Sequence, residues 1–325
     1  MKSLEVKYLG LTLKNPVVVS SSGLTSTVDN IKKMEAAGAG AVVLKSLFQE
    51  QITHEAQAYE HEGDYPEAHD YIMSYAVNNS VEEYLKLIRE AKQAVSIPII
   101  ASINCTSVGE WVSFAKRIEA AGADALELNI YFLASDKDMN AAACEAQYLG
   151  IAAKLRSIVT IPISVKMPKT FTNIPHMVDQ LYFRKINGVV LFNRFYEPDI
   201  NVETMKVESA SVFSSPSDIR ESLRWVGIVS AAVPLVDVAA STGIHSGEAA
   251  IKQLLAGATV VEVCSVLYKK GPKAINEILE FINGWMGKHH YKSIEEFRGK
   301  MNPKNLGSLD VYERSQFMRY YSSHE

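Results

Sequence analysis

Four times along the chain a proline opens an apolar run, and each time a glycine-marked break and a second apolar run follow. The first members are NPVVVSSS (15–22), IPIIASIN (97–104), IPISVKMP (161–168) and VPLVDVAAS (233–241). The second members are AGAGAVVLKS (37–46), AGADALELN (121–129), INGVVLFN (186–193) and AGATVVEVCS (256–265). Proline is tolerated at a strand's first residue because no ladder donor is lost there. Glycine just past a helix takes the left-handed C-terminal position. The runs are nearly continuous Val, Ile, Leu and Ala, as strands buried on both faces require. Eight such strands alternating with helix-like stretches predict a parallel sheet, and eight parallel strands suit a closed (β/α)8 TIM barrel. An open doubly wound sheet shares the alternation and stays open as the alternative. The chain has 325 residues, which one barrel with insertions accounts for as a single domain, 1–325.

Three segments fall outside the repeat. LEVKYLGLTLKNP (4–16) alternates around a glycine turn and predicts a short hairpin closing the barrel floor. Residues 48–80, polar and rich in His, Tyr and Glu, predict an insertion after strand two that serves as a lid or partner surface. Residues 194–217 predict a second insertion, after strand six. The tail from Lys288 onward is charged and predicted to be partly helical.

The composition removes several function classes. A net charge of −4 and a pI of about 6.1 supply no clustered basic face for nucleic acid. Cys105, Cys144 and Cys264 form no CxxC pair, so neither a metal site nor a disulfide framework is expected. No apolar run approaches the roughly 18 residues of a membrane span, and MKSLEVKYLG lacks an apolar signal core. A reducing cytoplasm is the expected compartment.

In a barrel of this kind chemistry sits at the C-terminal ends of the strands. Those ends carry Ser20, Ser21 and Ser22, then Lys45, Asn104, Asn129, Lys166 and Asn193, then Ser241, Thr242 and Gly243, and finally Cys264 and Ser265. A terminal Asn or Ser alone is usually a helix cap. Two lysines and three asparagines converging on one rim point instead to an electron-rich or anionic ligand. Thr242-Gly243 after strand seven and Cys264-Ser265 after strand eight stand where barrels hold phosphate, and glycine permits close backbone approach. An ordinary β–α turn is the bland alternative.

Lys45, ELN (127–129), VKMP (165–168), Asn193 and the block STGI…LLAGATVVEVCS (241–265) resemble the dihydroorotate dehydrogenase family, in the right order along nearly the whole chain. NPVVVSSSG (15–23) and SIEEFRGK (293–300) fit as well. The resemblance implies flavin mononucleotide (FMN) as cofactor. Its phosphate would lie at Thr242, Gly243, Cys264 and Ser265, joined by Ser214 and Ser215. Its ring would lie against Ser21, Ser22, Lys45, Asn104, Asn129 and Lys166. The resemblance makes Lys45, Asn129, Lys166 and Asn193 the catalytic set, with a cation such as Lys166 raising the flavin's electron affinity. It also implies a homodimer of the cytosolic kind. An electron-transfer partner subunit is a further option, and any iron–sulfur centre would have to reside there.

The substrate side departs from the family pattern. The loop after Asn129 has the form Leu-Ser-Cys-Pro-Asn in the family and reads Ile130-Tyr131-Phe132-Leu133-Ala134 here. Phe132 occupies the position of the base and cannot take a proton, and Ala134 stands where the family binds substrate through Asn. IMSYAVN (72–78) keeps only the last Asn of another substrate stretch, and an expected diglycine appears as Phe213-Ser214-Ser215. Tyr131, Ser135, Asp136 and Cys105 are substitute bases by position, although Cys105 reads more simply as a buried, inert thiol. A more apolar or aromatic dihydro substrate fits these losses, as does a reaction without a base in which an electron-poor double bond is reduced and solvent supplies the proton. Three functions follow: an FMN oxidoreductase of CH–CH bonds, a non-redox phosphate-binding barrel with Lys166 as a Schiff-base lysine, or a flavin-binding partner subunit without turnover.

Overall fold

The chain enters through an antiparallel hairpin, β1 (Val6–Tyr8) and β2 (Leu11–Leu13), whose ladder pairs Val6 with Leu13. Its two turn residues, Leu9 and Gly10, both have positive φ, the backbone of the primed two-residue turn that matches strand twist. The computed structural model describes residues 2–47, 66–105, 111–130 and 133–313, and for 66–79, 105 and 111–113 it describes the backbone only.

The eight expected strands all form. They are β3 (Val17–Val19), β4 (Ala41–Val43), β5 (Ile99–Cys105), β6 (Ala125–Ile130), β7 (Ile163–Met167) and β8 (Gly188–Leu191), then, after the hairpin β9 (Pro198–Asn201) and β10 (Lys206–Ser209), β11 (Asp237–Ser241) and β12 (Val260–Val263). The barrel closes in the order β11-β12-β3-β4-β5-β6-β7-β8, every neighbouring pair parallel. Closure decides against the open sheet. β3, β4, β6, β7, β8 and β12 are buried at every residue, which is why their sequences run apolar rather than alternating.

Around the barrel lie α1 (Val28–Ala36), α2 (Pro66–Ala94), α3 (Trp111–Ala120), α4 (Ala141–Arg156), α5 (Ile174–Phe183), α6 (Ile219–Ala232) and α7 (Gly247–Ala256), followed by α8 (Ser265–Lys270), α9 (Lys273–Lys288) and α10 (Pro303–Leu306). Thr27, Asn140, Asn173 and Ser246 each cap a helix by accepting a first-turn N–H. At the C-terminal ends of α1 and α3 one carboxylate staples the next repeat. Glu35 accepts from the Ser96 and Ile97 N–H groups and the Ser96 hydroxyl. Glu119 does the same for Thr160 and Ile161. Both sit just ahead of the Ile-Pro pair that starts a strand, so the proline-opened runs are anchored as well as permitted.

The hairpin meets the N-terminal ends of the strands. Leu9 N–H donates to Asp237 Oδ2 at 2.7 Å, and Tyr8 and Leu9 are almost fully buried. Leu9 reaches Gly188, where an added Cβ would stand 2.7 Å from Leu9 Cδ2. The glycine in INGVV therefore makes room for the hairpin, and Lys185 takes the left-handed φ instead.

Two expectations need correction. Residues 66–80 are not part of a separate insertion: they are the first turns of the 29-residue helix α2, and only 48–65 lie outside the described residues. A polar composition hid a helix, in which Val81, Leu85 and Ile88 are buried. Pro234 does not open a strand either. It lies in the turn after α6, and β11 begins at Asp237. The insertion after β8 forms as expected and carries the β9–β10 hairpin, with Ile200, Met205 and Val207 exposed.

Candidate active site

Strand register builds the site in levels. Asn104 on β5 pairs with Asn129 on β6, which pairs with Lys166 on β7, so three polar side chains stand side by side at one height. Two residues below, Ser102, Glu127 and Ser164 form the next level by the same pairings. Barrel interiors are ordinarily filled by Val, Ile and Leu. Here these two levels are polar and buried.

Above them opens a cavity of about 520 Å³, lined by Ser20, Ser21, Ser22, Lys166, Asn193, Ser214, Thr242, Gly243, Cys264 and Ser265 among others. One end is built for an anion. Thr242 (φ 74) and Gly243 (φ 80) turn the chain sharply after β11. A Cβ on Gly243 would fall 2.2 Å from the backbone nitrogen of Ile219, at the start of α6. Gly243 N–H donates to Ser214 Oγ at 3.4 Å, Ser214 N–H donates to Ser265 Oγ at 3.0 Å, and Lys269 Nζ donates to the Ser214 carbonyl at 3.0 Å. Ser214 Oγ also meets His245 Nε2 at 3.0 Å. Burial, with Lys269 nearby, lowers the His245 pKa, which favours the neutral ring. Backbone N–H groups, two hydroxyls and one lysine therefore gather around a single glycine turn, a donor set that fits a phosphate monoester.

Asn193, in the cavity lining, is one member of an amide row whose other members lie outside that lining. Asn193 Nδ2 donates to Asn129 Oδ1 at 2.8 Å across the strands β6 and β8. Asn104 is 2% exposed and its Nδ2 has no partner among the described residues. A buried donor of that kind costs roughly 1–3 kcal/mol unless a ligand or solvent accepts from it. An acceptor-bearing planar ring fits both amides.

Beside Asn129 in the strand register lies Lys166. Its Nζ donates to Ser20 Oγ at 3.0 Å and to Glu262 Oε2 at 3.2 Å, and it stands 3.5 Å from Glu127 Oε1, an ion-pair distance without a formed hydrogen bond. Ser20 Oγ in turn donates to Glu262 Oε2 at 2.8 Å. Burial alone would pull the lysine pKa down, but the two carboxylates outweigh it and hold the ammonium well above its ordinary value. Lys166 therefore faces two carboxyl groups of the barrel itself. An imine-forming lysine must reach its neutral amine, so this environment works against the Schiff-base reading.

The other expected residues divide by position. Ser22 spends its hydroxyl on a cap for residues 23–25, and Ser21 Oγ joins a hydroxyl row with Ser46 and Ser102. Ser215 turns away from the cavity toward Ser217 and Asp218. Burial pushes the Cys264 thiol up, which leaves it unreactive. Lys45 follows β4, half-buried and outside the cavity lining. Ser135 and Asp136 lie on an exposed loop. Tyr131, Phe132 and the side chain of Cys105 lie outside the described residues, as do the side chains of 72–78. Sequence reasoning missed Glu262 and Lys269, the bond of the rim residue Ser20 to Lys166, and Phe213 and Tyr268, whose tilted rings have centroids 5.1 Å apart in the cavity wall. For Glu262 a signal existed: a single carboxylate inside an otherwise apolar strand.

Comparison with known proteins agrees with this geometry. The sequence profile of the family described as dihydroorotate dehydrogenase matches residues 3–286. A protein of Aeropyrum pernix provisionally named dihydroorotate dehydrogenase A (fumarate) is 25% identical over 313 residues, covering 91% of this chain and 96% of that protein. The dihydroorotate dehydrogenase B (NAD(+)) catalytic subunit of Methanocaldococcus jannaschii is 26% identical over 304 residues, covering 86% and 93%. That of Thermoplasma acidophilum is 23% identical over 313 residues, covering 92% and 99%. With a closed eight-stranded barrel, a polar rim in the right order and a profile that spans most of its length, the chain belongs to the dihydroorotate dehydrogenase family.

Proposed function

We propose that this chain is an FMN-dependent oxidoreductase acting on a CH–CH bond of a small cyclic substrate. The observation that carries the reading is one cavity whose lining includes both a phosphate-suited glycine turn and Asn193, the donor of the Asn193–Asn129 amide pair. Gly243, Ser214, Ser265 and Lys269 hold the phosphate, with Thr242 shaping the turn. Ser21, Asn104, Asn129 and Lys166 face the ring, and Asn129, Asn193 and Lys45 face the substrate. FMN, when bound, accepts or donates a hydride at the substrate carbon. Asn129 and Asn193 orient a flat, amide-like substrate because each offers both a donor and an acceptor. Phe132 at the family's base position and Ala134 at its substrate position favour a substrate less polar than dihydroorotate, with the proton exchanged with solvent. The pyrimidine-biosynthetic reaction is the alternative under the same cofactor.

A cytoplasmic homodimer is part of this proposal, as is an electron-transfer partner; the name "catalytic subunit" of two relatives supports a partner subunit. The exposed Ile200, Met205 and Val207 of the β9–β10 hairpin offer apolar surface for either. No described helix is long and apolar enough to cross a membrane.

The test is an absorption spectrum of the purified protein, then anaerobic addition of dihydroorotate. A flavin spectrum that bleaches keeps the family reaction. A flavin that stays oxidised separates cofactor from substrate. A colourless protein that fails to take up FMN sinks the proposal.

A further inference from the structure

Two carboxylates and one ammonium share the centre of the barrel, and all three are buried: Glu127 1%, Glu262 2% and Lys166 6% exposed. Fully ionised, they would leave one uncompensated negative charge in a region of low dielectric, where an unpaired ion is heavily penalised. Two carboxyls facing one lysine answer this by retaining a proton. The geometry agrees. Glu262 Oε2 takes the bonds from Ser20 and Lys166, while both oxygens of Glu127 and Oε1 of Glu262 accept from no other donor among the described residues, which leaves them open to a carboxyl proton.

Among the described residues, the titratable groups facing the pair from the elements packed around it are each held in one state. On β7, Ser164 is neutral and Lys166 is held protonated. After β12, burial pushes the Cys264 thiol up. From the hairpin, Tyr8 is pushed well above its ordinary value by burial and by Glu262, Glu127 and Asp237. From α2, Tyr84 is raised by burial and by Glu127. Asp237, at the start of β11, is raised by burial and held by the Leu9 N–H.

We propose that Glu127 and Glu262 hold one proton between them beneath Lys166 and act as a proton store for the cavity, keeping that proton while the ligand above Lys166 carries negative charge and releasing it to solvent when the ligand does not. Both glutamates are thereby positioning residues: they fix Lys166 and set the net charge under the ligand. Burial and the neighbouring Glu262 push Glu127 up to about 8, which places the release within reach of neutral conditions. The pair titrates as a unit rather than as two independent acids. The sharing does not depend on which ligand binds, whereas its coupling to ligand charge rests on the flavin reading.

Infrared spectroscopy of the full chain, first without added flavin, tests the sharing. The expected result is a protonated-carboxyl carbonyl band at neutral pH that fades as pH rises through about 8. Glu127→Gln and Glu262→Gln should each abolish it, because the remaining carboxylate then pairs with Lys166 alone. A wild-type protein without the band overturns the proposal, and so does a band that survives in Glu262→Gln, which would make Glu127 a lone buried acid. Circular dichroism confirms that each variant is folded, and the double variant Glu127→Gln/Glu262→Gln provides the spectral baseline. Reduction of FMN-loaded protein should then strengthen the band, and an unchanged band would overturn the coupling. A protein that takes up no FMN but shows the band would fail the functional reading and leave the shared proton standing.

Discussion

Asn193 donates its side-chain amide to Asn129 across the barrel mouth, 2.8 Å from nitrogen to oxygen. The two residues are 64 positions apart and belong to different repeats. Their pairing fixes the amide orientation of Asn129, whose carbonyl accepts from Asn193. Asn193→Ala removes that constraint and leaves a buried acceptor. The expected loss in kcat/KM is about tenfold to a hundredfold, from roughly 1–3 kcal/mol for an unpaired polar group. Steady-state kinetics on whichever substrate bleaches the flavin measures it. FMN affinity should change far less, and an equal loss of both would place Asn193 on the cofactor side.

Gly243→Ala should abolish phosphate recognition without unfolding the barrel. The residue has φ 80, and its Cβ would meet the Ile219 backbone nitrogen at 2.2 Å. Backbone cannot yield as a flexible side chain does, so the turn must open and its N–H donors must part. FMN binding measured by fluorescence quenching should weaken at least tenfold, about 1.4 kcal/mol, while far-ultraviolet circular dichroism stays near wild type. Retained affinity would move the phosphate site elsewhere on the rim.

These two sites differ in how legible they were. The eight strands could be read because proline and glycine punctuate each unit at a fixed place. Gly243 could be read because it follows the seventh strand. Glu35 and Glu119 share the repeated sequence Glu-Ala-Ala-Gly-Ala, visible at 35–39 and 119–123, yet their role depends on contacts 41 to 62 residues away. Ser214 and Ser215 are adjacent and chemically identical, and only the backbone decides that one faces the cavity and the other caps a turn. The pairing of Lys166 was not legible, because no local pattern announces that Glu127, from the adjacent β6, and Glu262, from β12 across the barrel, converge on it.

The Glu35 and Glu119 staples predict a paired stability effect. Each carboxylate accepts two backbone N–H bonds and one hydroxyl bond at a partly exposed site. Glu35→Ala and Glu119→Ala should each cost about 1–2 kcal/mol, read by urea denaturation. Burial alone would raise both pKa values, but the hydrogen bonds win and lower them below 4.5. Their contribution is therefore present above the unfolded pKa and is lost as pH falls through the folded value. In acid, each variant should converge on wild type. The two sites share no partner, so their effects should add.

The Glu127 pair predicts a pH dependence of the opposite sign. Its folded pKa lies near 8 against an ordinary 4.5. Between those values the folded state holds a proton that the unfolded chain has lost, so stability falls as pH rises. One such proton contributes a slope of about 1.4 kcal/mol per pH unit at most. Glu127→Gln should remove that slope, so the variant gains on wild type across the interval from about 4.5 to 8. Chemical denaturation at several pH values, compared as a difference between the two proteins, isolates the group from every other titration. A parallel pair of curves would mean that Glu127 is ionised throughout.

Lys166 completes the cycle. Lys166→Met leaves two carboxyls buried without their cation and should destabilise the barrel by about 3–5 kcal/mol, the cost of breaking a buried pair from one side. The same substitution in a Glu127→Gln/Glu262→Gln background strands no charge, because both carboxylates have gone with the lysine. Most of the loss should therefore be recovered in the triple variant, with a coupling energy of a few kcal/mol between Lys166 and the two glutamates. Thermal melting of the four proteins (wild type, single, double and triple variants) reads this directly. If Lys166→Met costs the same in both backgrounds, the lysine stabilises by packing its aliphatic stem, and the charges at 3.2 and 3.5 Å contribute little.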